Sequence, residues 1–171
     1  MIIPTAFDII RAAEETLANV VMPGLSSQNE RSAATTIQHL LRFAAHRLEH
    51  EGQILLDERR LVCELLERVS GYFETSVFDP SGTAQLANEM RQTLAREHKP
   101  DVYLTLALLA QEVNELRGHV GSALALLLAH ETALDAQGTA LIHEIRQYLK
   151  LQIMEEGKLV DSAFRGRGPR R

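Results

Sequence analysis

The chain has 171 residues, 45% of them hydrophobic and 24% charged, with a formal net charge of −5. At that length one domain is the default, and about 70% of the unfolded surface can be buried without a metal or a disulfide. The acidic balance argues against the body of the chain as a nucleic-acid surface, and the single cysteine, Cys63, excludes an internal disulfide and fits a reducing compartment.

The N-terminal stretch MIIPTAFDII lacks the basic flank and long apolar core of a signal peptide. Apolar runs such as Val120 to Ala129 are too short to span a bilayer. The expectation is a cytoplasmic protein without membrane contact. No Trp, few aromatics and abundant Ala and Leu favour helical packing.

In chain order, Pro4-Thr5 opens a first helix, with Asp8 three residues on as a capping-box partner. Phe7, Ile10, Ala13, Leu17 and Val20 or Val21 form its expected buried stripe, and Pro23-Gly24 stops it. Ser27 with Glu30 is a second capping box and launches a helix over RSAATTIQHLLRFAAHRLEHE, Arg31 to Glu51. Its core face is expected to carry Ala33, Ile37, Leu40, Leu41, Ala44, Ala45 and Leu48, with Gly52 as a left-handed stop. A third helix follows through Leu61, Val62, Leu65, Val69, Tyr72 and Phe73. Asp79-Pro80-Ser81-Gly82 reads as a loop.

Leu86, Met90 and Leu94 mark a fourth helix ending before Pro100. A long pattern from Val102 to Leu134 follows, where Gly118 and Gly121 are potential bends. Gly138-Thr139 separates it from a last helix carrying Leu141, Ile142, Ile145, Tyr148 and Leu149. No period-two alternation persists long enough for a strand. The fold class is therefore all-α, an up-and-down helical bundle of five or six helices. It is read as one domain over 1–164, with a basic tail over 165–171 that carries four arginines and is expected to be disordered.

The halves echo each other weakly: Thr16-Leu17-Ala18 before Pro23 matches Thr93-Leu94-Ala95 before Pro100. Ala45-His46 before Gly52 also resembles Ala129-His130 before Gly138, and Leu55 to Arg60 parallels Leu141 to Arg146. If this is a duplication, the bundle is two pseudo-repeated three-helix units, 4–78 and 83–164.

The functional lead is the second helix. Opposite its expected core face lie His39, Phe43, His46 and His50, at i, i+4, i+7 and i+11. A large apolar ring flanked by imidazoles suits an anchor for another helix, in this chain or in a partner. Alternatively, His46 and His50 at i, i+4, with His39 on the same face, can reach one Zn or Fe ion. Glu115 and His119 would complete that shell, in a helix side that also bears Glu112 and His130. The chain lacks the Glu-x-x-His pairs of di-iron bundles and any His-Glu-x-x-His.

Cys63 has no adjacent base and reads as a small residue at the core margin. No phosphate-cradling glycine fingerprint is present. The arginine tail can neutralise phosphates only weakly, which argues against a nucleic-acid role.

The stretch from Pro4 to Leu66 has one further feature. Pro4-Thr5 at a helix start, Leu17 to Pro23-Gly24-Leu25 at its close, the Arg31-x-Ala33-Ala34 entry and the Ala45–Leu48 region together resemble an uncharacterised bacterial family of small helical proteins. Members are typically encoded beside aminoglycoside-phosphotransferase-like kinases and acyl-CoA dehydrogenases. The resemblance implies an accessory role near acyl-CoA metabolism or phosphotransfer, and it carries over no active site. Beyond Asp79 this chain is longer than the family pattern.

The functional expectation is a non-enzymatic interaction or accessory protein, without a cofactor. It would self-associate as a homodimer or dock a partner enzyme through His39, Phe43, His46 and His50. The alternative is a His/carboxylate metal site.

Overall fold

The computed structural model describes residues 4–76, 78–96 and 104–164, the last four by backbone alone. Five α-helices account for most of them: α1, Ala6–Thr16; α2, Gln28–Thr75; α3, Pro80–Leu94; α4, Leu106–Ala129; and α5, Ala136–Phe164. Among the described residues there is no strand, so the fold is an all-α helical bundle. No described helix is long and apolar enough to cross a membrane. The expected start at Val102, the stop at Pro100 and the arginine tail lie outside the described residues.

The chain forms two compact units, Met1–Gln53 with Met154–Arg171, and Ile54–Ile153. Their boundaries fall inside α2 and α5 rather than between 78 and 83. The proposed repeats also differ in structure. Ala45, His46 and Gly52 lie within α2, whereas Ala129, His130 and Gly138 run across the end of α4, a 3-10 turn and the start of α5.

In the Ile54–Ile153 unit, four helical segments surround one core. It contains Val62, Leu66, Val69 and Phe73 of α2, Ala87 and Met90 of α3, Leu116, Val120, Ala123 and Leu127 of α4, and Leu141, Ile145 and Tyr148 of α5. Leu55, Leu109 and Val113 form a smaller cluster beside Leu104 and Ala110. The core closes at Phe78, whose ring lies 6.1 Å from Tyr72, 6.4 Å from Phe73 and 5.3 Å from His130 between centroids.

Two expected breaks are helix interior. Gly52 does not stop α2, because no glycine among the described residues has the positive φ that a left-handed stop requires. The residues after it are good helix formers, and Leu55 is already anchored in the smaller cluster. Gly118 and Gly121 likewise leave α4 unbroken. Each costs about 1 kcal/mol relative to Ala, which the buried face of α4 offsets.

The expected loop at Asp79–Gly82 is mostly helix. Asp79 caps α3 from a left-handed conformation, φ 47°, accepting the Gly82 N–H at 3.2 Å, and Pro80 takes the first helical position. A Cβ at Gly82 would collide with the Asp79 carboxylate. Gly138 is required in the same way, because a Cβ there would meet the Tyr72 hydroxyl.

The Met1–Gln53 and Met154–Arg171 unit is sparsely packed. α1 starts with the expected capping box, the Asp8 carboxylate accepting the Thr5 N–H at 2.9 Å and Thr5 Oγ1 accepting the Asp8 N–H at 3.2 Å. It unwinds through a π turn at Leu17–Val21 into a 3-10 turn containing Pro23. Its only buried residue is Glu14, whereas Ala13, Val20 and Val21 of the expected stripe are exposed.

Leu66 is fully buried, while Leu56, ten residues earlier on α2, is 46% exposed. Leu66→Ala is expected to cost about 2–5 kcal/mol in urea unfolding, against less than about 0.5 kcal/mol for Leu56→Ala.

Candidate functional site

The Ser27–Glu30 capping box forms as expected, with both side-chain-to-backbone bonds at 3.2 Å, and fixes where α2 begins. Which face of α2 then packs differs from expectation. Ala34 and Ala45 are buried and Leu41 is half-buried, so the packed line runs through Ala34, Gln38, Leu41 and Ala45. Ile37, Leu40 and Leu48, assigned to the core by periodicity, are 50%, 59% and 46% exposed, and Ala33 is exposed as well. The apolar arc on this helix is too broad for periodicity to locate its contact line. The small residues win the contact because they admit close approach, and the large aliphatics are left outside.

On the line that carries the histidines, His39, Phe43 and His46 are half-buried and His50 is exposed. The His46 and His50 rings meet edge to face at 4.4 Å. The Arg47 guanidinium lies 5.4 Å from the Phe43 ring centroid and pairs with Glu51 one turn on. On the helix wheel Leu40, Phe43 and Arg47 are neighbours at i, i+3 and i+7. The exposed aliphatics and the edge of the Phe43 line therefore make one mixed surface.

α1 is held to α2 by charge. The Glu14 carboxylate accepts Arg42 Nε at 2.7 Å, Gln38 Nε2 at 3.0 Å and Arg11 Nη1 at 3.4 Å. Burial alone would push the Glu14 carboxyl up, but these bonds and the two guanidinium charges outweigh it and hold its pKa below the usual value of 4.5. Phe7 and Arg11 of α1 face Arg42, Ala45, His46 and Glu49 of α2 across a polar groove.

Glu115 and His119 belong to the Ile54–Ile153 unit and are engaged within it. Arg96 donates to Glu115 at 2.6 Å, and the His119 ring shares a 2.9 Å hydrogen bond with Thr93 Oγ1. Among the described residues no group of three or more His, Cys, Asp or Glu side chains is placed to hold a metal ion. Cys63 is half-buried against the core, and burial pushes its thiol up, away from thiolate chemistry.

Sequence reasoning passed over the most buried polar cluster. Arg117 of α4 grips Glu58 of α2 with both Nε and Nη2, at 2.7 and 2.6 Å, and the Tyr148 hydroxyl of α5 donates to the same carboxylate at 2.8 Å. Burial, with the adjoining carboxylate, raises the Tyr148 pKa far above its ordinary value. The signal was present in register: Glu58 sits on the α2 stripe between Leu55 and Val62, where only an apolar residue fits without a partner. Tyr72 makes a second such contact, donating to Asp135 at 3.0 Å, while Asp135 also accepts the Gly138 N–H at 2.8 Å. Between α3 and α4 a shallow, largely apolar groove runs past Leu86, Ala125 and Leu126.

Comparison with known proteins adds nothing to this geometry: no family model, curated protein or solved structure matches the chain at a significant level.

The depressed pKa of Glu14 gives a signed pH dependence. A carboxyl whose folded pKa lies below its unfolded value contributes stability in full above the unfolded pKa, and loses it as pH falls through the folded one. The stability gap between wild type and Glu14→Gln is therefore expected to be largest above the ordinary carboxyl pKa of 4.5 and to shrink progressively as pH falls below it; thermal unfolding at pH 7, 5 and 3.5 measures it. In the other unit, Glu58→Ala removes the buried carboxylate that Arg117 and Tyr148 share and is expected to cost about 3 kcal/mol, against about 1 kcal/mol for Tyr148→Phe, both read by urea unfolding.

Proposed function

We propose that the chain is a non-enzymatic helical interaction protein that self-associates or docks a partner protein through the outer face of α2. One observation carries this reading: Ile37, Leu40 and Leu48 stand at i, i+3 and i+11, about half exposed, on a helix whose packed face is elsewhere. Each leaves on the order of 1 kcal/mol of burial unrealised. Together with Phe43 and Arg47 they supply the apolar centre and cationic edge that helix-in-groove contacts use. His39, His46 and His50 flank this surface rather than form its centre.

The lack of any catalytic constellation in the sequence supports a non-enzymatic role, and the lone cysteine supports a cytoplasmic setting. If the resemblance of residues Pro4 to Leu66 holds, the docking partner is an enzyme of acyl-CoA metabolism or phosphotransfer.

The test is oligomeric state and co-purification from the native host. Wild type is expected to be a dimer by light scattering or to bring down a stoichiometric partner. Ile37→Asp with Leu40→Asp should abolish that association while leaving helicity and thermal midpoint nearly unchanged. Phe43→Asp should weaken it to a lesser degree. A monomeric wild type that co-purifies with nothing, or an association indifferent to the double variant, removes the reading.

A further inference from the structure

The polar groove between α1 and α2 has a chemistry that the interaction surface does not use. It has a volume of about 250 Å³ and is lined by Phe7, Arg11, Arg42, Ala45, His46 and Glu49. Two guanidinium groups share one buried carboxylate beneath it, Glu14, whose side chain is 8% exposed. With Glu49 also in the lining, two guanidinium charges face two carboxylates, of which Glu14 is the one bonded to them.

The donors are also unevenly spent. Arg42 commits Nε to Glu14, and Arg11 reaches it only through Nη1 at 3.4 Å. Among the described residues neither guanidinium has another acceptor. A guanidinium presents five N–H groups in a planar fork, so donors on both side chains beyond those bonded to Glu14 are open to the groove and its solvent. Arg42 is fixed by its bond to Glu14, which is the preorganisation that a bidentate oxyanion site needs. His46 adds a ring nitrogen, and Phe7 and Ala45 give an apolar wall. Glu49 opposes the arginines from the same lining.

We infer that this groove is a ligand site for a small molecule bearing an oxyanion, a carboxylate or a phosphate. Arg11 and Arg42 hold the charged group, and the remainder of the ligand lies along Phe7 and Ala45. Glu14 positions Arg42 and does not touch the ligand. Glu49 sets an upper limit on affinity for multiply charged anions.

The experiment is a titration of the full chain with sodium acetate and, separately, with inorganic phosphate, at ionic strength held constant with sodium chloride and followed by amide NMR. Saturable shifts confined to the residue 7–11 and 42–49 segments are expected for at least one anion. Acetate alone identifies a carboxylate site, and a preference for phosphate identifies a phosphoryl one.

Arg11→Gln is expected to weaken binding about tenfold, the worth of a charge-assisted hydrogen bond. Glu49→Gln should tighten it a few-fold by removing a like charge. Opposite signs from two partly exposed positions distinguish a site from general screening, and Arg11→Lys, which keeps the charge and loses the fork, should fall between wild type and Arg11→Gln. Lack of saturation with both anions, or equal affinity in wild type and Arg11→Gln, overturns the inference. The oligomeric state is independent of these outcomes, so the interaction reading stands or falls separately.

Discussion

The Glu58 carboxylate is the constraint on which the Ile54–Ile153 unit depends. It is buried on α2 and is satisfied only when α4 brings Arg117 and α5 brings Tyr148 to it at once. Replacing such a cluster by well-packed apolar residues is often neutral or even stabilising, so its value is not in net free energy. An apolar core tolerates hydrophobic substitution with repacking and loses uniqueness before it loses stability. A bidentate guanidinium–carboxylate pair with a third donor has no such latitude. The Leu, Val and Ile residues above and below it are interchangeable in kind, and the polar cluster selects one register for three helices. Arg59–Glu112 and Arg68–Glu144 repeat the α2–α4 and α2–α5 links nearer the surface, where each contributes less than about 1 kcal/mol.

The two compact units hold together by different means. Around Val62, Leu66, Met90 and Ile145 apolar burial supplies most of the stabilisation, and the polar cluster serves geometry. In the other unit the buried side chains among the described residues are Ala34, Ala45, Leu159, Glu14 and Glu51, few and mostly small or charged. The bond between α1 and α2 is accordingly ionic, made through Glu14. That is a weaker foundation and a salt-sensitive one. It also has a consequence for the surface: large aliphatic residues not used inside remain outside, at Ile37, Leu40 and Leu48.

Much of the fold was legible in the sequence. The capping boxes at Thr5–Asp8 and Ser27–Glu30 formed as written, and the core positions Val62, Leu65, Val69, Met90, Val113, Leu116, Val120 and Ile145 followed the 3.6-residue period. What failed was punctuation by glycine. Gly52 suggested a stop because glycine is common just beyond helix ends, yet nothing local forces a left-handed residue there, and burial of Leu55 favours continuing the helix. Asp79 failed in the opposite direction: a Pro-Gly stretch that resembles a loop is a cap, proline-first turn and close approach in one. The surface was harder still. An arc of Ala, Ile and Leu wider than one contact line does not say which residues touch, and α2 chose its alanines. The buried Glu58 was visible as a charge in core register, but its partners lay 59 and 90 residues away.

Because Arg42 serves both Glu14 and the groove, occupancy of the groove and docking of α1 are linked. An acceptor that takes the Nη pair of Arg42 leaves its Nε bond to Glu14 intact, since the fork offers separate edges to separate acceptors. A bound oxyanion therefore adds to the docking of α1 instead of competing with it. A ligand that binds the folded unit and not the unfolded chain stabilises it by RT ln(1 + [L]/Kd), and the linkage runs in both directions. The unit with the smaller apolar core is thus the one whose stability is most open to adjustment by a bound anion, and α2 carries both that groove and the exposed aliphatic face.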